Sequence, residues 1–367
     1  MQKIITFTLL WLLIVNIFGL AVLNRFNLNP DTSQWWLNPS EVYQTQGWNM
    51  SSIHSRWDSK WYESIAGEGY HLIPNNILSN IVFFPLYPLL MKSLSFFLLG
   101  DMVLSGWILS MVFLILGVVF LYKLIKEFHK EIDPFRAIFL MLIFPTAFFF
   151  NAVYTESLFL FLSVAAFYYS FKKKYLISAA FGFLSSITRI TGIFLIIPLF
   201  WEYCKEFGKK GIFKKEFYYL FLIPLGTLGF FTYHFLKFGN FFLFLEVERN
   251  WGRAFDFGRD VPAVNFTNPA IVNYSFDVLC VIFAVTMSVI VLKKLRTSYG
   301  IYMFTTILVA LSTGTMMSIE RYILILFPIF IYAASIKNEL TKNAWVLIST
   351  LLLAIDITLF VNNYWAG

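Results

Sequence analysis

An all-helical bundle that crosses a membrane about eleven times is what the sequence predicts, and three observations carry the prediction. Of 367 residues, 59% are hydrophobic and only 13% charged, with a mean hydropathy of +0.70, whereas soluble domains carry about 25% charged residues. The apolar residues gather in runs that approach the roughly 17–25 residues a helix needs to cross hydrocarbon. The short loops between the runs carry their lysines and arginines on one side of an alternating count, as the positive-inside rule requires. A soluble enzyme is excluded. The net charge of +7 is loop charge in this setting, so the partners expected are the lipid bilayer and its constituents, with no nucleic acid. Cys204 and Cys280 lie far apart and support neither a disulfide nor a cysteine metal site.

The elements follow in order. Residues 4–23 form an apolar run behind Lys3. The run is too long for a cleaved signal, and Leu23-Asn24-Arg25 is a poor cleavage site, so it reads as a retained anchor. Residues 24–101 then form one long loop outside the cytoplasm. Within it, Phe83 to Gly100 is apolar but begins Phe-Phe-Pro-Leu-Tyr-Pro and carries Lys92, which predicts a helix lying in the interface. Further spans are placed at 102–122, 137–150, 155–171, 175–188, 190–203, 218–238, 273–292, 299–313, 322–336 and 343–363. Three of them (137–150, 175–188 and 190–203) are short enough to be tilted or half-embedded. Pro74-Asn75-Asn76 and Val261-Pro262 mark turns in the two outer loops. With no internal repeat, low-complexity tract or soluble domain, residues 1–367 read as one transmembrane domain.

Charge tests this order. With Lys3 inside, the cytoplasmic segments hold Lys123, Lys126, Lys130 and Arg136, then Lys172, Lys173 and Lys174, then Lys205, Lys209, Lys210, Lys214 and Lys215. Lys293, Lys294 and Arg296 follow, and finally Lys337 and Lys342, so that eighteen of the 28 basic residues lie inside. The outer face is left with Asp58, Glu156, Arg189, the loop 245–260 and Glu320-Arg321.

Each of these admits two readings. Asp58, after Trp57, can act as a general base at a membrane surface, or can be a solvated acid paired with Arg56 or Lys60. Arg189 stands between Ile187-Thr188 and Ile190-Thr191, where burial in hydrocarbon would cost roughly 2.5–3.5 kcal/mol. A turn facing a polar cavity suits it, and its planar fork suits a phosphate; a snorkelling helix-end arginine is the plainer account. Glu320 and Arg321 form either a second phosphate clamp or an interfacial ion pair. Glu156 is a second carboxylate facing Asp58, or a helix-start acid favoured by the dipole. Trp251 and Arg253 can hold a sugar and a phosphate, while most of the tryptophans, Trp35, Trp36, Trp48, Trp57 and Trp61 included, read as interfacial belt residues. Asp356 is an intramembrane acid. The four histidines lack metal-ligand spacing, and there is no phosphate-binding glycine loop.

Six stretches taken together resemble the PIG-V-like mannosyltransferases of the GT-C class: RWDSKWYESIAGEGY (56–70), FFPLYPLL (83–90), FPTAFFFNAVYTESLF (144–159), SSITRITGIFL (185–195), FLEVERNWGR (244–253) and SIERYILILFP (318–328). The chain looks like a prokaryotic relative. The resemblance implies a multi-span enzyme that takes a sugar from a polyprenyl-phosphate donor outside the cytoplasm, with Asp58 as catalytic base. On that footing Glu156 positions the acceptor or assists the base, and Arg189 and Arg321 hold the donor phosphate. Arg56, Trp57, Trp251, Arg253 and Glu320 line the substrates, and the acceptor is a lipid or envelope glycan. Two arginines offset one phosphate without a metal or other cofactor, although a divalent ion at Asp58 and Glu156 is compatible with the residues. The alternative function is a transporter that moves lipid-linked sugar without chemistry.

Overall fold

The structure is a computed structural model that describes residues 1–25, 51–72, 78–253 and 270–366. Trp35, Trp36, Trp48, the turns Pro74-Asn75-Asn76 and Val261-Pro262, and residues 254–260 of the second outer loop lie outside the described residues. Every regular element among the described residues is a helix. The helices fall into two compact units, Met1–Phe161 with Ala334–Ala366, and Leu162–Ala333.

Unit 1 begins with α1 (Gln2–Arg25), α2 (Ser59–Glu68), α3 (Leu86–Ser95), α4 (Met102–Phe128) and α5 (Pro134–Leu142). A 3-10 turn (Pro145–Asn151) leads to α6 (Glu156–Phe171), within which the boundary between the units falls. Unit 2 continues with α7 (Tyr175–Ser186), a 3-10 turn (Ile190–Leu195), α8 (Ile196–Phe207), α9 (Lys215–Tyr219), α10 (Leu222–Phe238) and α11 (Leu243–Asn250). It ends with α12 (Ala270–Lys294), α13 (Thr297–Leu311), α14 (Ile319–Leu324) and α15 (Pro328–Ser335). The chain then returns to unit 1 as α16 (Glu339–Val361).

Among the described residues, five helices are long and apolar enough to cross a membrane: α1, α4, the α9–α10 stretch, α12 from Tyr274, and α16. The α5 helix and the 3-10 turn after it would make a sixth, bent by 91°. Helices α6, α7 and α13 are apolar but shorter. The chain is therefore a multi-pass membrane protein, all-helical among the described residues, and the expected spans 137–150 and 322–336 are each interrupted. The reason is proline. Pro145 ends the run expected at 137–150, because the residue before a proline is pushed out of the helical region. Pro328 splits 322–336: it has no N–H and its ring opposes the carbonyl four residues back, so it starts α15 instead of extending α14.

Capping sets several starts. Asp101 accepts from the Leu104 N–H at 2.8 Å, and Asp133 from the Phe135 N–H at 3.0 Å with Pro134 in the first turn. Helix α3 buries Tyr87 and Met91, leaving Leu89, Phe96, Phe97 and Leu99 exposed on and just beyond it. The Tyr87 hydroxyl donates to the Gly106 carbonyl at 2.8 Å and shares a 2.7 Å hydrogen bond with Ser110, which ties α3 to α4.

In unit 2 an aromatic cluster joins α6 to α13, with Phe167 5.4 Å from Tyr299, 5.5 Å from Tyr302 and 5.5 Å from Phe327. The turn between α7 and α8 is built on a close approach. A Cβ at Gly192 would stand 2.1 Å from the Ser185 carbonyl oxygen, which is rigid backbone. Gly192→Ala is therefore expected to destabilise the folded protein by about 1–3 kcal/mol, whereas Gly229→Ala, where a Cβ meets nothing within 4 Å, should be neutral or mildly stabilising. Thermal melts of the two variants in one detergent check this, and equal melting temperatures would refute it.

Candidate active site

Unit 1 carries the Asp58 turn. Arg56, Trp57 and Asp58 lie between a 3-10 turn (Ser52–His54) and α2. Ser59 Oγ accepts from the Arg56 N–H at 3.3 Å and donates to the His54 carbonyl at 3.5 Å. The Tyr154 hydroxyl donates to the Arg56 carbonyl at 3.0 Å and accepts the Asp58 N–H at 3.2 Å. One hydroxyl thus grips the backbone on both sides of Trp57. Between those two bonds Trp57 has φ 53°, in the left-handed region, which costs a residue with a Cβ roughly 1–2 kcal/mol. Tyr154 is buried and wedged by Phe149 at 4.8 Å.

This scaffold leaves Asp58 partly exposed. Arg56, Trp57 and Ser59 around it are buried, whereas Asp58 is half-buried. It sits at the N-cap of α2, yet its side chain makes no capping bond, so the carboxylate is not consumed in starting the helix. Glu63, one turn along, accepts from Ser55 Oγ and from Lys60 Nζ, the latter at 3.0 Å. The Arg56 guanidinium donates to the Val361 carbonyl from Nε and Nη2, both at 3.4 Å, and to the Ser55 carbonyl at 3.2 Å. Burial lowers its pKa to about 10 against the opposing pull of Glu63, which still leaves it charged.

Trp57 and Trp61, expected in a membrane belt, are core residues. Trp61 stacks on Phe83 at 6.1 Å, and Trp57 donates its Nε1–H to the Tyr364 carbonyl at 3.0 Å. Glu156 opens α6 fully buried. Its neighbour Thr155 meets the Tyr62 hydroxyl at 3.5 Å. A buried polar relay that the sequence reading missed runs behind the turn. Trp107 Nε1–H donates to Asn151 Oδ1 at 2.9 Å, and Asn151 Nδ2–H donates to Asn16 Oδ1, inside the first span, at 3.2 Å.

In unit 2, Arg189 stands in extended conformation at the break after α7, and its guanidinium lies over the Tyr322 ring at 5.2 Å. Arg321 and Glu320 precede Tyr322 on α14, both buried, after Ser318 at φ 65°. Arg189 thus meets α14 at Tyr322, the residue that follows the Glu320-Arg321 pair in the chain. Asp277 on α12 lies within interaction range of Glu320 and was not singled out from the sequence, although an acid inside a span is a signal in its own right. Arg253 pairs with Glu248 at 4.0 Å beside Trp251, in the loop that begins at α11. Among the described residues no three His, Cys, Asp or Glu side chains gather to hold a metal ion.

His54 lies under the turn, stacked on Trp107 at 4.6 Å. Burial, and then the Arg56 charge, pull its pKa from 6.5 to about 3. The folded chain holds it neutral while the unfolded chain protonates it below 6.5, so its contribution is complete above pH 6.5 and is lost as pH falls from 6.5 toward 3. Stability should fall by about 2 kcal/mol between pH 6.5 and pH 5 from this group. His54→Phe, which keeps a ring on Trp107, is expected to flatten that slope in detergent melts; a slope as steep as that of the parent would refute the assignment.

A family model described as Mannosyltransferase (PIG-V) matches residues 1–244, which contain Asp58, Tyr154, Glu156 and Arg189. No curated protein matches the chain. With 244 of 367 residues matched on a multi-pass helical framework, the chain belongs to the mannosyltransferase (PIG-V) family of membrane glycosyltransferases.

Proposed function

We propose that this mannosyltransferase is an inverting enzyme of the GT-C class that uses a polyprenyl-phosphate mannose donor and works on the extracytoplasmic face. The observation that carries the reading is the Asp58 turn: a half-buried carboxylate on a rigidly held backbone, presented by buried neighbours. A general base must be reachable and fixed in direction, and partial exposure on a held backbone supports Asp58 in that role.

The chemistry follows. Asp58 takes the proton of an acceptor hydroxyl as that oxygen forms a bond to C1 of the sugar, on the face opposite the phosphate. The C1–O bond to phosphorus breaks, its electron pair stays with the phosphate, and the configuration at C1 inverts. Charge that grows on the leaving phosphate is met by Arg189 and Arg321, fixed donors of the kind that supply most of the stabilisation in such steps. Trp251, Arg253 and Glu320 fit contacts to sugar or lipid, and the acceptor is a lipid or envelope glycan hydroxyl. Buried Glu156 and the internally bonded Arg56 and Trp57 support the site from beneath. The placement outside the cytoplasm rests on the count of basic loops, which puts residues 24–101 on the outer side.

Purified protein given radiolabelled polyprenyl-phosphate mannose and a cell-envelope extract tests the reaction. Asp58→Asn should lower transfer by roughly 10²–10⁴-fold with donor binding intact. Arg189→Ala and Arg321→Gln should each weaken donor binding by roughly 10–100-fold, the worth of a charge-assisted hydrogen bond. Near-parental transfer by Asp58→Asn removes it as base, and unchanged donor affinity in both arginine variants removes the clamp.

Sidedness is checked separately, in cells, with Cys204→Ser and Cys280→Ser as background. Lys60→Cys and Asn250→Cys should react with an impermeant maleimide from outside, and Lys173→Cys should not. The reverse pattern would place the Asp58 loop in the cytoplasm.

A further inference from the structure

We propose that the segment at the end of α16, residues 361–365, acts as the positioning clamp for Asp58 by seating Trp57, with Trp365 as its key side chain. The inference rests on the reading of Asp58 as the base. The clamping segment itself, however, lies outside the matched residues 1–244.

The segment is shaped for this task. Helix α16 ends with the Asn363 N–H on the Phe360 carbonyl at 3.1 Å and the Tyr364 N–H on the Leu359 carbonyl at 2.9 Å, with Asn363 at φ 65°. Asparagine tolerates that left-handed turn better than most residues. The reversal aims the Tyr364 carbonyl at Trp57 Nε1, 3.0 Å away, and sets the Trp365 ring edge-on to the Trp57 ring at 5.2 Å and 88°. One turn earlier the Val361 carbonyl, an orphan acceptor of the helix end, accepts the two 3.4 Å bonds from Arg56. Phe360 packs on Phe148 at 5.0 Å and on Tyr154 at 6.0 Å. Two consecutive residues before Asp58 are therefore held by one short segment more than 300 positions away.

Strain gives the contact its purpose. Trp57 is left-handed, and such a conformation persists only where its surroundings over-determine it. Release of the indole lets φ relax to negative values, which swings the next residue, Asp58, off its line. A displacement of about 1 Å can lower a rate roughly 10²-fold. A residue that only packs would lower stability and leave turnover of the folded protein alone.

The test uses full-length protein in detergent. In the polyprenyl-phosphate mannose and envelope-extract assay, Trp365→Ala should lower kcat by roughly 10–100-fold while the donor KM stays within about twofold. Trp365→Phe, which keeps a ring for the edge-on contact, should restore kcat to within about threefold. Separately, with Cys204→Ser and Cys280→Ser as background, the rate at which a water-soluble maleimide labels Asp58→Cys should shift by about threefold or more when Trp365→Ala is added. Should Trp365→Ala not fold, Trp365→Leu takes its place in both measurements. An unchanged labelling rate overturns the clamp, as does failure of Trp365→Phe to restore kcat. A shifted labelling rate with unchanged kcat would keep the contact and remove Asp58 as the base, and transfer by Asp58→Asn would show the same by another route.

Discussion

A tryptophan held in a left-handed backbone conformation is the constraint on which the Asp58 turn depends. The conformation is unfavourable for a bulky residue, and no neighbour in the local sequence makes it favourable. Tyr154 supplies a hydroxyl that bridges Arg56 O and Asp58 N across the strained residue. Burial of the indole and its hydrogen bond to Tyr364 offset the strain. Arg56 has a matching task, because its guanidinium closes the carbonyl end of α16, where a cation is doubly favoured by hydrogen bonding and by the helix dipole. Two residues that look like substrate contacts in a list of polar and aromatic candidates are in this fold the fastening of a third.

The acids of this region show how environment sorts identical chemistry. Glu63 has Ser55 and Lys60 on its two oxygens, so its charge is already spent within α2 and the turn before it. Glu156 is sealed at the start of α6, where the helix dipole favours it and where an acceptor hydroxyl has no direct path. Asp58 keeps a partly open face and makes no cap bond. Reach separates the candidate base from its two neighbours, since proton transfer needs contact before it needs any particular basicity. In unit 2 the charged residues meet α14 from two sides of the sequence, Arg189 over Tyr322 and Asp277 near Glu320.

Much of this was legible in the sequence, and the misses have physical causes. The runs expected at 4–23, 102–122 and 343–363 appear as α1, α4 and α16, the first two extended by a few residues and the last shifted toward its start, because unbroken apolar composition and helix formation coincide there. The runs at 137–150 and 322–336 are equally apolar but contain Pro145 and Pro328. Average hydropathy does not register the lost N–H, and the helices divide at those points. Trp57 and Trp61 were assigned to the interface because an indole suits both a belt and a core, and only tertiary contacts tell the two apart. Asp277 escaped notice while Asp356 did not, although both are acids in long apolar helices. Tyr154 sat inside a noted motif, but its task is defined by a partner about a hundred positions earlier in the chain.

The residues that seat Trp57 mark a limit on what any comparison of sequences can register. Val361 and Tyr364 act through their backbone carbonyls, and every residue type has a carbonyl. What matters at those two positions is where the backbone goes, which is decided by the end of α16 and the left-handed turn at Asn363. A family match follows side-chain identity, so it can stop at residue 244 while the contacts that seat Trp57 are completed far beyond. Trp365 is the exception within the segment, because its contribution is a ring in edge contact with another ring. It follows that substitutions in 361–365 should divide by mechanism. Changes that preserve the turn and the ring leave the site intact whatever their chemical character, and changes that move either one act on Asp58 through the backbone of Trp57.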